Sequence, residues 1–87
     1  MVNTCIRELP HGIHLHCRVS GEPGRPLLLF LHGFPEGSFI WEGMLEQFGT
    51  QWRCVAPDLR GFGRSSQPAG VEQYKAKHLL QDLAALI

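Results

Sequence analysis

Five consecutive apolar residues, Leu27 to Leu31, constrain the fold of this chain more than any other stretch. A strand that is buried on both faces has this pattern, and central strands of parallel sheets are the usual example. The run is too short to span a bilayer. It leads into His32-Gly33-Phe34-Pro35, where glycine and proline end the strand. We therefore predict a central strand of a parallel sheet over residues 27–31.

Two strands are predicted ahead of this run. Residues 13–20 alternate between apolar and polar side chains, which is typical of a half-buried strand with His14 and His16 facing solvent. A shorter extended stretch at residues 4–9 is expected to pair with it through the turn at residues 10–12.

Two helices and one more strand are predicted after the run. Apolar residues recur at three- and four-residue spacing up to Phe48, so we expect a helix that Ser38 caps and Gly49 ends. Residues 53–57 predict a short buried strand. The last helix is expected over residues 71–87, with an apolar stripe of Ala76, Leu79, Leu80, Leu83 and Leu86 or Ile87. This alternation indicates an α/β protein with a mainly parallel sheet.

Composition excludes several classes of function. Eight basic and eight acidic residues give no net charge, so neither nucleic acid nor an anionic membrane is expected as a partner. The three cysteines form no C-x-x-C pair, which favours a reducing compartment in which they serve as small hydrophobic residues. The first twenty residues carry charges and Pro10 and do not resemble a signal peptide. We expect a cytoplasmic protein without metal or cofactor.

The residues after the apolar run carry the first functional motif, His32-Gly33-Phe34-Pro35-Glu36. Gly33 permits a sharp backbone turn, which leaves the N–H of Phe34 free to point into the space above the strand end. Two such N–H groups are what an acyl or alkyl-ester reaction needs to stabilise an oxyanion. Taken alone, the motif is better explained as an ordinary turn between a strand and a helix.

A second motif, Asp58-Leu59-Arg60-Gly61-Phe62-Gly63-Arg64-Ser65, follows the next predicted strand. The ordered pair of motifs resembles the α/β-hydrolase superfamily over nearly the whole chain. Within it, the first motif is most similar to epoxide hydrolases, with haloalkane and haloacetate dehalogenases close by. The resemblance implies the N-terminal part of that fold, with residues 1–87 forming a partial domain.

The resemblance also implies roles for individual residues. His32, Gly33 and Pro35 would form the oxyanion loop, and Phe34 would contribute its backbone N–H to the oxyanion hole. Glu36 and Trp41 are candidates for lining the pocket, although Trp41 also suits core packing. The loop from Asp58 to Ser65 would be scaffolding, so Asp58 is not expected to be a catalytic acid, nor Ser65 a nucleophile.

The catalytic residues of that family are not found in this chain. No nucleophile elbow of the form G-x-S-x-G, or with Asp in place of Ser, is present. We expect the nucleophile, the triad acid and the triad histidine to lie beyond Ile87, and the 87-residue chain alone to be inactive. The full-length protein is predicted to open an epoxide through a carboxylate nucleophile and a covalent ester. The alternatives are a dehalogenase, a serine esterase, or a non-catalytic fragment or interaction piece.

Two other patterns in the sequence suggest binding sites. The stretch Gly61-Phe62-Gly63-Arg64-Ser65-Ser66 half-matches the dinucleotide fingerprint, but Ser66 replaces the third glycine. A metal site at the histidines of residues 11–16 is conceivable, although the strand alternation already explains them as solvent-side residues. The expected ligand is a small apolar organic substrate, an epoxide, halide or ester.

Overall fold

A computed structural model describes residues 2–33 and 37–87. The described part contains four strands, β1 (Asn3–Glu8), β2 (His14–Ser20), β3 (Leu27–Leu29) and β4 (Arg53–Pro57), and two α-helices, α1 (Glu42–Phe48) and α2 (Ala76–Leu86). Short 3₁₀ turns over Ser38–Trp41 and Val71–Tyr74 precede the two helices.

The strands form one mixed sheet in the order β1-β2-β4-β3. β1 and β2 pair antiparallel as a hairpin, and β2 also pairs antiparallel with β4. β3 and β4 are parallel, with Leu28 opposite Cys54. They are parallel because the chain crosses over through α1 between them. The predicted architecture, two antiparallel leading strands followed by strand–helix–strand–helix, is therefore confirmed.

The strand in the apolar run is shorter than predicted, and its central position in the complete sheet stays a prediction. β3 ends at Leu29, and it lies at the edge of the described sheet, where Leu27 is 45% exposed. Phe30 still donates its N–H to the carbonyl oxygen of Val55, at 2.9 Å. An apolar run indicates that a strand suits burial on both faces, but it does not determine which strands lie beside it.

Each face of the sheet carries its own hydrophobic cluster. On the face that α1 covers, Leu45 packs with Cys54 and Ala56, and Phe30, Trp41 and Phe48 lie around them. The opposite face is buried by Leu9, Ile13, Leu15, Cys17 and Val19, against which Leu86 of α2 packs. The burial of Cys17 raises the pKa of its thiol to about 12, so this cysteine is a protonated core residue at neutral pH.

β2 is buried on both faces, which corrects the prediction of a half-buried strand. His16 is only 8% exposed and His14 is half-buried. The loop after β4 covers this polar face, because Asp58 and Ser66 donate their backbone N–H groups to the carbonyl oxygens of His16 and His14. Burial of polar residues in this way requires hydrogen-bond partners, which alternation along the strand cannot show.

The residues at the two ends of α1 do not act in the way that the sequence predicts. The side chain of Ser38 caps no helix; Ser38 is the first residue of the 3₁₀ turn that leads into α1. Gly49 does end α1, with an ordinary φ of −62°. Glycine is needed there for close packing, since a Cβ atom would lie 2.7 Å from the Ser20 hydroxyl oxygen.

The last predicted helix is split. Lys75 adopts an extended conformation, with φ −67° and ψ 151°, and separates the 3₁₀ turn at Val71–Tyr74 from α2. The predicted stripe is partly wrong, because Leu80 is 65% exposed whereas Asp82 is buried. No helix in the described ranges is long and apolar enough to span a membrane.

Candidate functional site

The two sequence motifs meet at one edge of the sheet. β3 and β4 are parallel, so the residues that follow them, from His32 and from Asp58, emerge on the same side. This edge, outside the carboxyl ends of parallel strands, is where open α/β sheets bind their ligands. Phe34, Pro35 and Glu36 lie outside the described residues, so their predicted roles stay predictions.

His32 is buried and joins the two motifs. Its Nε2 accepts the backbone N–H of Leu59 at 3.0 Å, and its Nδ1 lies 2.9 Å from the carbonyl oxygen of Gly33. An imidazole nitrogen that accepts a hydrogen bond carries no proton, and one that faces a carbonyl oxygen must donate. The contacts therefore require the neutral form of His32 with its proton on Nδ1. The edge of the imidazole ring also packs against the Phe62 ring.

Asp58 is a buried carboxylate, 5% exposed, with a partner for each oxygen. Oδ1 accepts the backbone N–H of Ser38 at 2.6 Å, and Oδ2 lies 2.8 Å from Nδ1 of His16. Burial acts to raise the pKa of Asp58, but the hydrogen bonds from Ser38 and His16 outweigh it and lower the pKa below its ordinary value. Asp58 is thus an ionised carboxylate that is fully occupied by internal contacts.

The glycines and serines of the second motif shape the loop around Asp58. Gly63 has a φ of +52°, and a Cβ atom there would overlap the Asp58 carboxylate. The hydroxyl of Ser65 donates to the carbonyl oxygen of Asp58 and accepts the N–H of His16 at 2.9 Å. With both its donor and its acceptor used internally, Ser65 is buried within the loop.

A second buried carboxylate, Asp82 of α2, was not identified as a site residue from the sequence. Arg60 donates Nε to Oδ2 and Nη2 to Oδ1, each at 2.6 Å, and Nη1 to the carbonyl oxygen of Gln73 at 2.9 Å. His11 lies 2.8 Å from Oδ1. Burial acts to raise the pKa of Asp82, but the hydrogen bonds from Arg60 and His11 lower it. Its spacing from Leu79 and Leu86 places Asp82 on their side of the helix, which was the available indication.

Trp41 packs in the core on the α1 face. Its ring centroid lies 5.2 Å from that of Phe30. The indole Nε1 is buried and has no hydrogen-bond partner among the described residues. Of its two predicted roles, the core contact is therefore observed, whereas pocket lining stays a prediction.

The histidines near the first hairpin are each paired to a different group. His11 contacts Asp82, His14 contacts the hydroxyl of Ser66 at 3.0 Å, and His16 contacts Asp58. Within residues 2–33 and 37–87, no group of three or more potential ligand side chains is placed to hold a metal ion. No helix begins at the glycine-rich loop of residues 61–66, so the structural context of a dinucleotide site is missing there.

Both motifs, their order and the strands that carry them can be compared with known proteins. The family described as alpha/beta hydrolase fold matches residues 26–87. The chain belongs to this family. The resemblance predicted from the two motifs is thereby confirmed.

Similar proteins include epoxide hydrolases of animals. Epoxide hydrolase 3 of Xenopus tropicalis is 49% identical over 82 residues, which are 94% of this chain and 22% of that protein. Epoxide hydrolase 4 of Mus musculus is 42% identical, over 94% of this chain and 23% of that protein. This member of the alpha/beta hydrolase family thus spans less than a quarter of the length of these relatives.

Solved structures give the same result for the fold. Epoxide hydrolase VrEH1 from Vigna radiata matches with a TM-score of 0.90 at 37% identity, over 98% of this chain and 27% of that chain. Epoxide Hydrolase A from Mycobacterium thermoresistibile matches with a TM-score of 0.93 at 33% identity, over 99% of this chain and 27% of that chain. The observed sheet, with its two helices, is therefore a portion of the alpha/beta hydrolase fold.

Proposed function

We propose that this chain is part of an epoxide hydrolase that acts on a small apolar epoxide. The observation that carries the proposal is the likeness to epoxide hydrolases over 94% of the chain at up to 49% identity. The meeting of the two motifs outside parallel strand ends supports it, because ligands of α/β sheets bind there. The 87 residues contain no nucleophile elbow, so the activity belongs to the full-length protein that carries this chain.

The proposed reaction has two covalent steps. A carboxylate oxygen of the protein attacks an epoxide carbon, an ester C–O bond forms, the ring C–O bond breaks, and the freed oxygen takes up a proton. Water then adds to the ester carbonyl carbon and gives up a proton to a base. The tetrahedral intermediate collapses, and the alcohol oxygen takes that proton and leaves as the diol. The carboxylic acid that remains returns its proton to the group that protonated the ring oxygen, which regenerates the carboxylate. The sum is epoxide plus water to diol.

The contribution of this chain is to the second step. We propose that the backbone N–H of Phe34 donates to the oxyanion of the tetrahedral intermediate, with His32, Gly33 and Pro35 forming the loop that carries it. Glu36 and Trp41 are proposed to line the pocket. The conformation of His32, which is fixed by Leu59 and Gly33, supports this role because it anchors the start of the loop.

The first test is to sequence the source transcript past the codon for Ile87. An Asp at the centre of a strand–turn–helix elbow supports the epoxide hydrolase, whereas a Ser there favours an esterase. A stop codon directly after Ile87 contradicts the catalytic proposal and leaves a non-catalytic fragment or interaction piece.

The second test uses the purified full-length protein. We expect diol to form from styrene oxide, and one ¹⁸O atom from H₂¹⁸O to enter the enzyme's carboxylate during a single turnover. Release of halide from a haloalkane with no diol formation would instead identify a dehalogenase. Turnover of p-nitrophenyl acetate alone, with acylation of a serine, would identify an esterase.

We also propose that the protein is cytoplasmic. The three cysteines are all free, and a reducing compartment keeps such thiols from forming disulfides. Fractionation of the source cells with an antibody to the full-length protein tests this, and recovery in a membrane or secreted fraction would contradict it.

A further inference from the structure

The two end residues of the segment 32–38 are hydrogen-bonded to consecutive residues, Asp58 and Leu59. The N–H of Leu59 donates to His32 at 3.0 Å, and the N–H of Ser38 donates to the carboxylate of Asp58 at 2.6 Å. Residues 33–37 separate these two anchors along the chain. Because Asp58 and Leu59 are neighbours, one short stretch of the loop after β4 contacts both ends of the segment.

Asp58 is itself fixed to the interior of the sheet. His16 of β2 holds the second carboxylate oxygen at 2.8 Å, and the N–H of Asp58 donates to the carbonyl oxygen of His16 at 2.8 Å. β2 is hydrogen-bonded to a strand on each side, which makes it a central strand of the described sheet. The carboxylate is thus positioned by both the side chain and the backbone of one central residue.

Ser38 has a further contact that keeps it in place. Nε of Arg18 lies 3.2 Å from the Ser38 hydroxyl, and Ser38 is completely buried. Arg18 is also on β2, two residues after His16. Both anchors of Ser38 therefore lead back to the same strand.

We propose that Asp58, held by His16, is a positioning residue that sets the segment 32–38 for stabilisation of an oxyanion. This inference rests on the proposed function, in which that segment carries the donor. Donors must lie about 2.7–3.1 Å from the oxyanion. A displacement of about 1 Å can cost on the order of 100-fold in rate. Asp58 holds the Ser38 end through its carboxylate, while the next residue, Leu59, holds the His32 end through its N–H.

The two covalent steps make a selective test possible. The oxyanion of the tetrahedral intermediate forms only when water adds to the ester. A displaced segment therefore slows ester hydrolysis and leaves alkylation by the epoxide nearly unchanged. The test is a single-turnover experiment on full-length wild type, Asp58→Ala and Asp58→Asn, with styrene oxide as substrate and intact-protein mass spectrometry to follow the covalent ester.

For Asp58→Ala we expect hydrolysis of the ester to slow by about 10- to 100-fold while alkylation changes by less than about threefold, so that ester accumulates. Asp58→Asn keeps an oxygen that accepts the N–H of Ser38, and should recover most of the loss.

Asp82→Ala is the matched control, because it removes an equally buried carboxylate that does not contact the segment. It should leave the ratio of the two rates unchanged. The proposal would be overturned if Asp58→Ala slowed alkylation and ester hydrolysis equally. It would also be overturned if the ratio of the two rates were the same in Asp58→Ala and Asp82→Ala.

Amide hydrogen exchange tests positioning without any need for activity. In Asp58→Ala, exchange in the peptide covering residues 32–41 should accelerate by about 10-fold relative to that of β2, and in Asp82→Ala it should not. If wild type forms neither ester nor diol, the proposed function fails and this exchange result alone decides whether Asp58 positions the segment. Unchanged exchange in Asp58→Ala would refute the role of Asp58 directly.

Discussion

Asp58 and Asp82 are both buried carboxylates, 5% and 2% exposed, but they are neutralised by different kinds of partner. Asp82 meets a guanidinium in a two-point ion pair with N–O distances of 2.6 Å. Asp58 meets an imidazole and a backbone N–H. Arginine keeps its charge at any ordinary pH, whereas histidine can be neutral. Asp82 is therefore paired with a fixed positive charge, whereas Asp58 is stabilised by hydrogen bonds from an imidazole and a backbone N–H.

The two carboxylates also connect different parts of the chain. Asp82 ties α2 to the loop after β4 through Arg60, and to the hairpin turn through His11. Asp58 ties that loop to β2 and to the segment that leads into α1. We infer that Asp82 chiefly stabilises the fold, whereas Asp58 chiefly determines local geometry, and the following predictions test that difference in the full-length protein.

The largest effect is expected from Asp82→Ala. It leaves the Arg60 guanidinium, 2% exposed, without a counter-charge, and breaking a buried pair in this way costs about 3–5 kcal/mol of unfolding free energy. Urea unfolding followed by circular dichroism measures the loss. The double variant Arg60→Met/Asp82→Leu removes both charges and should regain most of it. A loss below about 1 kcal/mol in Asp82→Ala would show that Arg60 reaches solvent when its partner is removed.

Asp58→Ala should destabilise less, by about 1–3 kcal/mol, which is the cost of leaving a buried donor unsatisfied. The smaller value follows because the substitution leaves no buried guanidinium without its counter-charge, in contrast to Asp82→Ala. The same urea titration applies, with His16→Ala as a companion variant that removes the other partner. A loss as large as that of Asp82→Ala would contradict the inferred contrast between the two carboxylates.

Features that depend on residues close together in the sequence were predictable, whereas features that depend on distant partners were not. The order of strands and helices follows from apolar spacing within short segments, and it was predicted correctly. The second motif pointed to the loop of residues 58–65 as scaffolding. The sequence could not reveal its partners, since His16 lies 42 residues from Asp58, and His11 lies 71 residues from Asp82.

The errors have the same origin. The alternation of polar and apolar residues in β2 predicts a half-buried strand, but the loop after β4 covers the polar residues and supplies hydrogen bonds. Asp82 is not part of the predicted apolar stripe because it is charged, and a carboxylate is rarely buried unless it is paired. Burial of a polar residue depends on a distant partner, and a single sequence does not show which residues the fold brings together.

Acid should weaken the fold through both carboxylates. Their pKa values are lowered in the folded state, so they stabilise it above their ordinary pKa of about 3.9, and this stabilisation is lost as pH falls through the lowered values. Between pH 7 and 4 both carboxylates remain ionised. The unfolding free energy lost in this range is therefore smaller than the loss caused by Asp58→Ala or by Asp82→Ala. Urea midpoints at pH 7, 5, 4 and 3 should show the main decline below pH 4. Asp82→Asn removes one of the two carboxylates and should reduce the decline, whereas an unchanged profile would contradict its assignment to Asp82.

The smallest effect is expected from the ion pair between Glu72 and Lys75, whose charged atoms are only 2.9 Å apart. It lies next to Gln73, which binds Arg60, yet its side chains are 73% and 56% exposed. Water screens exposed charges and already solvates them, so the pair contributes roughly 0–1 kcal/mol. Lys75→Ala should therefore shift the urea midpoint only slightly, with Glu72→Ala as its control. A loss comparable to that of Asp82→Ala would show that proximity rather than burial determines the strength of these pairs, and the comparison between the two carboxylates would need a different basis.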